Sequence, residues 1–194
     1  MDSILEIREK LKKKLEPARY EHTLGVAYTA VCLAMKYGAD LKKSEYAGLL
    51  YDCAKYFSDE ELFRKCEKYQ IQLTGAEIAN PALIHARLGA CLAREKYGVA
   101  DEEVCHAILV HTTGIPHMSL LDQILFVADY IEPRRYKAPG LAEIRRLAFT
   151  DLEECVYVIL RDTVSYLRKR GAGMDETTQL AYEYYRKCFE ERNC

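Results

Sequence analysis

Apolar positions recur along this chain at the three-to-four-residue spacing of an amphipathic helix, broken at short intervals by glycine, proline and capping residues. Ile4, Leu5, Leu11 and Leu15 predict a first helix. Pro17 suits the first turn of a second, which runs to about Tyr37 and is stopped by Gly38. Asp40 caps a third helix through Lys55, and Ser58 caps a fourth. Asn80-Pro81 starts a helix ending near Gly98. Asp101 opens another that reaches His111, where Thr112-Thr113-Gly114-Ile115-Pro116 breaks it. Leu120 to Ile131 follows, ending before Pro133, and further helices span roughly 140–149, 151–170 and 177–191, with Gly171-Ala172-Gly173 as the last hinge. Consecutive apolar residues at Ala47 to Leu50 and at Ile124 to Ala128 mark the buried helices, since a helix apolar all round must be enclosed. No hairpin signal, repeat or low-complexity linker interrupts the pattern. The expectation is one all-α domain over residues 1–194.

Composition narrows the setting. The 194 residues, 49% hydrophobic and 30% charged, have the balance of a soluble globular domain. No stretch approaches the roughly 18 uninterrupted apolar residues of a membrane span, and the charged segment Met1 to Lys14 does not read as a signal peptide. A cytoplasmic protein is expected, with no membrane partner. A net charge of −2, with acids and bases interspersed, argues against a nucleic-acid footprint but leaves room for a small anionic ligand. The eight cysteines, Cys32, Cys53, Cys66, Cys91, Cys105, Cys155, Cys188 and Cys194, form no C-x-x-C pair and read as free thiols in a reducing compartment.

Candidate chemistry lies in two acids and a few histidines. Asp52 and Asp129 each sit in an otherwise apolar helical sequence, where an ionised carboxylate is costly unless it is paired or holds a metal. Taken singly, Asp52 can pair with Lys55 one turn away, and Asp129 with Arg134 or Arg135. His22, His85 and His111 each fall on a different predicted helix. Taken together, these five residues suit one centre assembled between the helices of a bundle, and mixed imidazole and carboxylate ligands favour iron, manganese or zinc over calcium. His106, five positions before His111 and so about 140° around a helix, reads as structural. His117 reads as a solvated loop residue, and the tyrosines, dense at Tyr182-x-Tyr184-Tyr185, as core and interface residues.

The strings Arg19-Tyr20-Glu21-His22-Thr23, Asp52-Cys53-Ala54-Lys55, His111-Thr112-Thr113-Gly114 and Ala128-Asp129-Tyr130-Ile131-Glu132-Pro133-x-Arg135 occur in that order, with His85 between the second and third. With them the chain resembles the HD superfamily of metal phosphohydrolases, and within it the bacterial YqeK type, symmetrical diadenosine tetraphosphate hydrolases also associated with NAD metabolism. The resemblance implies an HD-domain helical bundle. It implies that His22, residue 51, Asp52 and Asp129 hold a principal metal, typically iron, with manganese or another divalent transition metal as a substitute. His85 and His111 would hold a second ion or contact the phosphate beside it. Arg19, Lys55, Thr112 and Arg135 would bind phosphate oxygens, with Asp52, Lys55, His85 and His111 as the catalytic group. The segment Arg170 to Thr178, with Gly171 and Gly173, would close over the nucleotide. The expected partner is a small nucleotide, and a homodimer is left open.

The sequence leaves this pattern at two places. Where the motif carries the histidine that helps name the superfamily, this chain has Tyr51. A phenol with a pKa of about 10 is a poor ligand for a divalent ion, although iron accepts tyrosinate in some haem proteins. Three outcomes are open: ligation of ferric iron, displacement by water, or weakened metal binding, and reduced but surviving affinity is the expectation. Met174-Asp175-Glu176-Thr177-Thr178 stands where an Ile-His-Pro string is usual. The function expected is symmetrical cleavage of diadenosine tetraphosphate to ADP. The alternatives are another nucleotide substrate, NAD-related among them, or a degenerate module that binds nucleotide without hydrolysis.

Overall fold

The computed structural model describes residues 2–136, 138–171 and 173–192. Ala172 of the expected hinge and Cys194 lie outside the described residues. Among those described, helices alone form the regular structure: α1 (Ile4–Lys12), α2 (Pro17–Tyr37), α3 (Leu41–Leu50), α4 (Asp59–Lys68), α5 (Gly75–Ala79), a 3₁₀ turn (Pro81–Leu83), α6 (Ile84–Tyr97), α7 (Glu102–Val110), α8 (Leu120–Ile131), α9 (Leu141–Ala148), α10 (Leu152–Arg170) and α11 (Glu176–Arg192). None is long and apolar enough to cross a membrane.

Local chemistry starts and stops these helices as the sequence leads one to expect. Asp40 accepts from the Lys43 amide at the start of α3, and Ser58 forms a reciprocal capping box with Glu61 at the start of α4. Gly38 ends α2 in the left-handed conformation that glycine tolerates best. The expected all-round burial holds for Ala47 to Leu50 and Ile124 to Ala128, all in the core.

Two expectations are corrected, and one short helix is added. The third helix ends at Leu50 rather than Lys55. Beyond it the amides of Cys53, Lys55 and Phe57 bond back to Leu50, Asp52 and Ala54, three residues earlier rather than four, so the chain tightens into turns. Asn80 makes no side-chain cap, and Pro81 opens a single 3₁₀ turn before α6 begins at Ile84. The five-residue α5, held by a Thr74–Glu77 capping box, is too short to leave a periodic signal.

Helix α2 lies against α3 and α8, while α3 also touches α7, and α10 braces α8 from the other side. The α2–α3 crossing is close because Gly48 has no side chain. A Cβ built there would stand 2.5 Å from the Ala27 Cα. This crossing brings the first turns of α2 beside the turns that follow α3, where the acids and histidines meet.

Candidate metal centre

The turns after α3 carry Asp52, the first turn of α6 carries His85, and His111 caps the C-terminal end of α7. All three are buried. Each ring has its Nδ1 against the carbonyl three residues earlier: His85 at 2.5 Å from the Ala82 oxygen, His111 at 2.7 Å from that of Ile108. A carbonyl oxygen only accepts, so each Nδ1 is the protonated nitrogen and each Nε2 presents a lone pair. The two Nε2 atoms lie 3.2 Å apart, and Asp52 Oδ1 is 3.3 Å from one and 3.9 Å from the other. The Thr112 hydroxyl reaches both rings, at 3.0 Å and 3.3 Å.

Two lone pairs and a carboxylate oxygen facing one another are stable only with a cation or proton between them. Burial and the neighbouring His85 push the His111 imidazole down to about 4, keeping that ring neutral near pH 7. Burial by itself would raise the Asp52 carboxyl. The His85 contact and the two imidazoles outweigh it and bring the group to about 2. Asp52, His85 and His111 therefore gather a carboxylate oxygen and two imidazole nitrogens, the donor set of a transition-metal ion.

The cation paired with Asp52 is not Lys55, as the helical spacing suggested, but Arg19, whose Nη1 is 2.9 Å from Oδ2. The i, i+3 pairing of Asp52 and Lys55 requires a continuous helix, and the turns after Leu50 replace it. The Lys55 Nζ instead stands 3.4 Å from His85 Nε2, and burial lowers the pKa of this amine.

A second group adjoins the first. Asp129, near the end of α8, accepts three donors on a single oxygen, Oδ1: His22 Nε2 at 3.0 Å, the Tyr51 hydroxyl at 3.1 Å and Arg135 Nη2 at 2.9 Å. The pair with Arg135 expected from the sequence is thus present, while Arg134 turns to Glu21. Burial would raise the Asp129 carboxyl, but His22 and Arg135 hold it well below the usual range. Burial likewise opposes protonation of His22, and its bonds to Asp129 and Glu132 outweigh that. Tyr51 is fully enclosed. Burial first, then the nearby Asp129 and Asp52 charges, push its phenol far above the ordinary value, so it is a neutral donor to Asp129. Its ring stands edge-on to His111 at 4.9 Å and bridges the two groups.

These residues border one cavity of about 290 Å³, which Arg19, Asp52, Lys55, His85, His111, Thr112, Asp129 and Arg135 all line, with Phe126, Ile159 and Leu160 as its apolar wall. It shares Thr112 and Thr113 with a neighbouring hollow of about 230 Å³, and Arg19 and Arg135 with another of about 490 Å³, which His22 also lines. Gly171 and Gly173 are exposed and do not line it. His106 bonds the buried Asp122 at 3.0 Å, away from the cavity, as its helical angle implies. His117 is exposed and its ring rests on Tyr184.

Thr178, the last residue of the segment expected to close over the nucleotide, lines the cavity from α11. One residue that contacts His22 escaped sequence reasoning. Glu132 is buried and accepts from His22 Nδ1 at 2.9 Å. Glu132 falls within the last matching string, but nothing local distinguishes it from a surface acid beside Pro133.

The chain belongs to the HD domain family, whose pattern matches residues 19–134 and so takes in His22, Asp52, His85, His111 and Asp129. A relative from Bacillus subtilis (strain 168), a symmetrical bis(5'-nucleosyl)-tetraphosphatase, is 40% identical over 176 residues, covering 90% of this chain and 92% of its own length. A protein of the same name from Staphylococcus aureus (strain NCTC 8325 / PS 47) is 35% identical, with 90% of each chain covered. A crystal structure from Clostridium acetobutylicum, of a predicted HD superfamily hydrolase involved in NAD metabolism, superposes with a TM-score of 0.92 at 37% identity, over 96% of this chain and 98% of that one.

Proposed function

We propose that this protein is a metal-dependent phosphohydrolase that splits diadenosine tetraphosphate symmetrically into two molecules of ADP. The observation that carries the reading is the convergence of Asp52 Oδ1, His85 Nε2 and His111 Nε2 on one buried point, inside a cavity ringed by Arg19, Lys55 and Arg135. The relatives in Bacillus subtilis and Staphylococcus aureus, alike over nine-tenths of their length, support the substrate. So does the cavity's shape. A phosphate chain over the central part leaves two adjoining hollows, reached past Thr112 and Thr113 and past Arg19 and Arg135, for its two nucleosides.

His22, Asp52 and Asp129 hold a principal ion in this reading, with His85 and His111 available to a second. Iron is the metal proposed, with manganese or another divalent transition ion as a substitute, because imidazole and carboxylate suit both. When bound, such an ion lowers the pKa of water from about 15.7 toward about 7 and neutralises phosphoryl charge. The chain's own residues do the rest. Arg19, Lys55 and Arg135 stand fixed where charge develops on the phosphoryl oxygens. The Thr112 hydroxyl donates to a phosphate oxygen, and the apolar wall of Phe126, Ile159 and Leu160 limits competing water. Water adds across the central phosphoanhydride bridge, and two ADP leave.

Tyr51 does not overturn this reading, since the Asp52–His85–His111 group is complete without it. The seven described cysteines are all free, which supports a reducing compartment such as the cytoplasm. Metal content and hydrolysis in Asp52→Ala and Asp129→Ala test the site. Both variants should lose bound metal and turnover. Wild-type metal occupancy in both would defeat the assignment.

A further inference from the structure

His22 is held from both sides, and the second side is unaccounted for by substrate or metal chemistry. Its Nε2 lies 3.0 Å from Asp129 Oδ1, while its Nδ1 lies 2.9 Å from Glu132 Oε1. Glu132 is about 1% exposed, immediately after the last residue of α8. Its other oxygen, Oε2, accepts from the Arg134 amide at 2.9 Å, so the carboxylate is fixed at both ends. The turn that carries it is clamped in turn by Arg145 of α9. That guanidinium donates to the backbone oxygens of Ile131, Glu132 and Arg135 at 2.9, 2.8 and 2.7 Å.

Space for this carboxylate comes from α2. Gly25 lies one turn beyond His22 on the same face, and a Cβ built on it would fall 2.4 Å from Glu132 Oε2. Any side chain at position 25 would push the carboxylate off the ring. A buried carboxylate is costly unless fully hydrogen-bonded, so its retention here needs a reason, and the glycine opposite it is a second, independent feature serving the same contact.

We propose that Glu132 is a positioning residue: its carboxylate accepts the hydrogen bond that His22 Nδ1–H donates, which fixes the ring's tautomer and directs the Nε2 lone pair at the metal, and Gly25 is small so that it can. The physical basis is general, since a ligating imidazole is oriented and made more basic by the group that binds its other nitrogen. The inference rests on the reading of His22 as a ligand, and its test separates the two.

Zinc serves as a diamagnetic probe. Zinc affinity is measured by competition with a chromophoric chelator for the wild type, Glu132→Gln, Gly25→Ala and His22→Ala. The His22 ring tautomer is read by nitrogen-15 NMR in the zinc-loaded proteins that retain the ring. The wild type should show His22 protonated on Nδ1. In Glu132→Gln one of the two contacts must face an amide NH₂, so zinc affinity should fall about 10–100-fold and the Nδ1–H signal should weaken or shift. Gly25→Ala displaces only the end of a flexible side chain, so it should fold and lose affinity in the same direction, which covers the case of an unstable Glu132→Gln. Affinity and tautomer unchanged in both, with His22→Ala impaired, would overturn the positioning role alone. An unaltered affinity in His22→Ala would overturn the ligand reading and this inference with it.

Discussion

The Nε2 atoms of His85 and His111 face each other at 3.2 Å, each ring donating its Nδ1–H to a backbone carbonyl. Such an arrangement is repulsive when empty and attractive around a cation, so metal should stabilise the folded protein markedly. At a free concentration a hundred times Kd, an ion that binds only the folded state adds about 2.7 kcal/mol. For a chain of this size that raises Tm by roughly 5–10 °C. Calorimetry of metal-free protein with and without added manganese checks this, and no shift at saturating metal would contradict it.

Tyr51 is expected to act through Asp129 rather than as a ligand, because burial and two carboxylates keep its phenol protonated. Iron-loaded protein should therefore show no visible tyrosinate-to-iron absorption band. Tyr51→Phe should keep most of its metal, whereas Tyr51→His, which offers a neutral imidazole with no deprotonation cost, should raise affinity and turnover, on the scale of about 10-fold or more. A coloured iron protein that bleaches in Tyr51→Phe would make the phenolate a ligand.

Arg19 is the cation that the turns after α3 bring to Asp52. It stands with one face on that carboxylate and another on the cavity, so Arg19→Ala should lower kcat by about 10²–10³-fold. Arg19→Lys should recover only part of this, since a point charge replaces a planar fork. Steady-state kinetics on both variants decides it, and full activity in Arg19→Ala would remove the residue from the phosphate-binding set.

Gly48 sets the α2–α3 crossing on which the site is built. Gly48→Ala puts a methyl into the Ala27 backbone and should cost about 1–3 kcal/mol, seen as a Tm lower by roughly 2–10 °C. Unchanged melting would mean that the two helices separate freely.

Most of this architecture was legible residue by residue. Asp40, Ser58 and Asp101 announce their helices because capping is a local interaction. His22, Asp52, His85, His111 and Asp129 were legible because polar groups in apolar helical sequence demand partners, and the four strings tie them together. What escaped depends on contacts distant in the chain. Helical proximity pairs Asp52 with Lys55, but the helix ends at Leu50, five residues short of Lys55, and the true partner lies 33 residues away. Glu132 meets His22 across 110 residues, and its burial depends on the absence of a side chain at Gly25, which no periodicity encodes. Thr178 lies in the segment expected to close over the nucleotide, and it enters the cavity because α11 packs back on α10.

Symmetrical cleavage is read straight from the reaction products. Metal-loaded protein is incubated with diadenosine tetraphosphate and the nucleotides are separated by chromatography through the time course. ADP should be the sole product from the earliest points, two molecules for each substrate consumed, with no turnover in chelator. AMP appearing with ATP, or no hydrolysis with any divalent transition metal, would contradict the account.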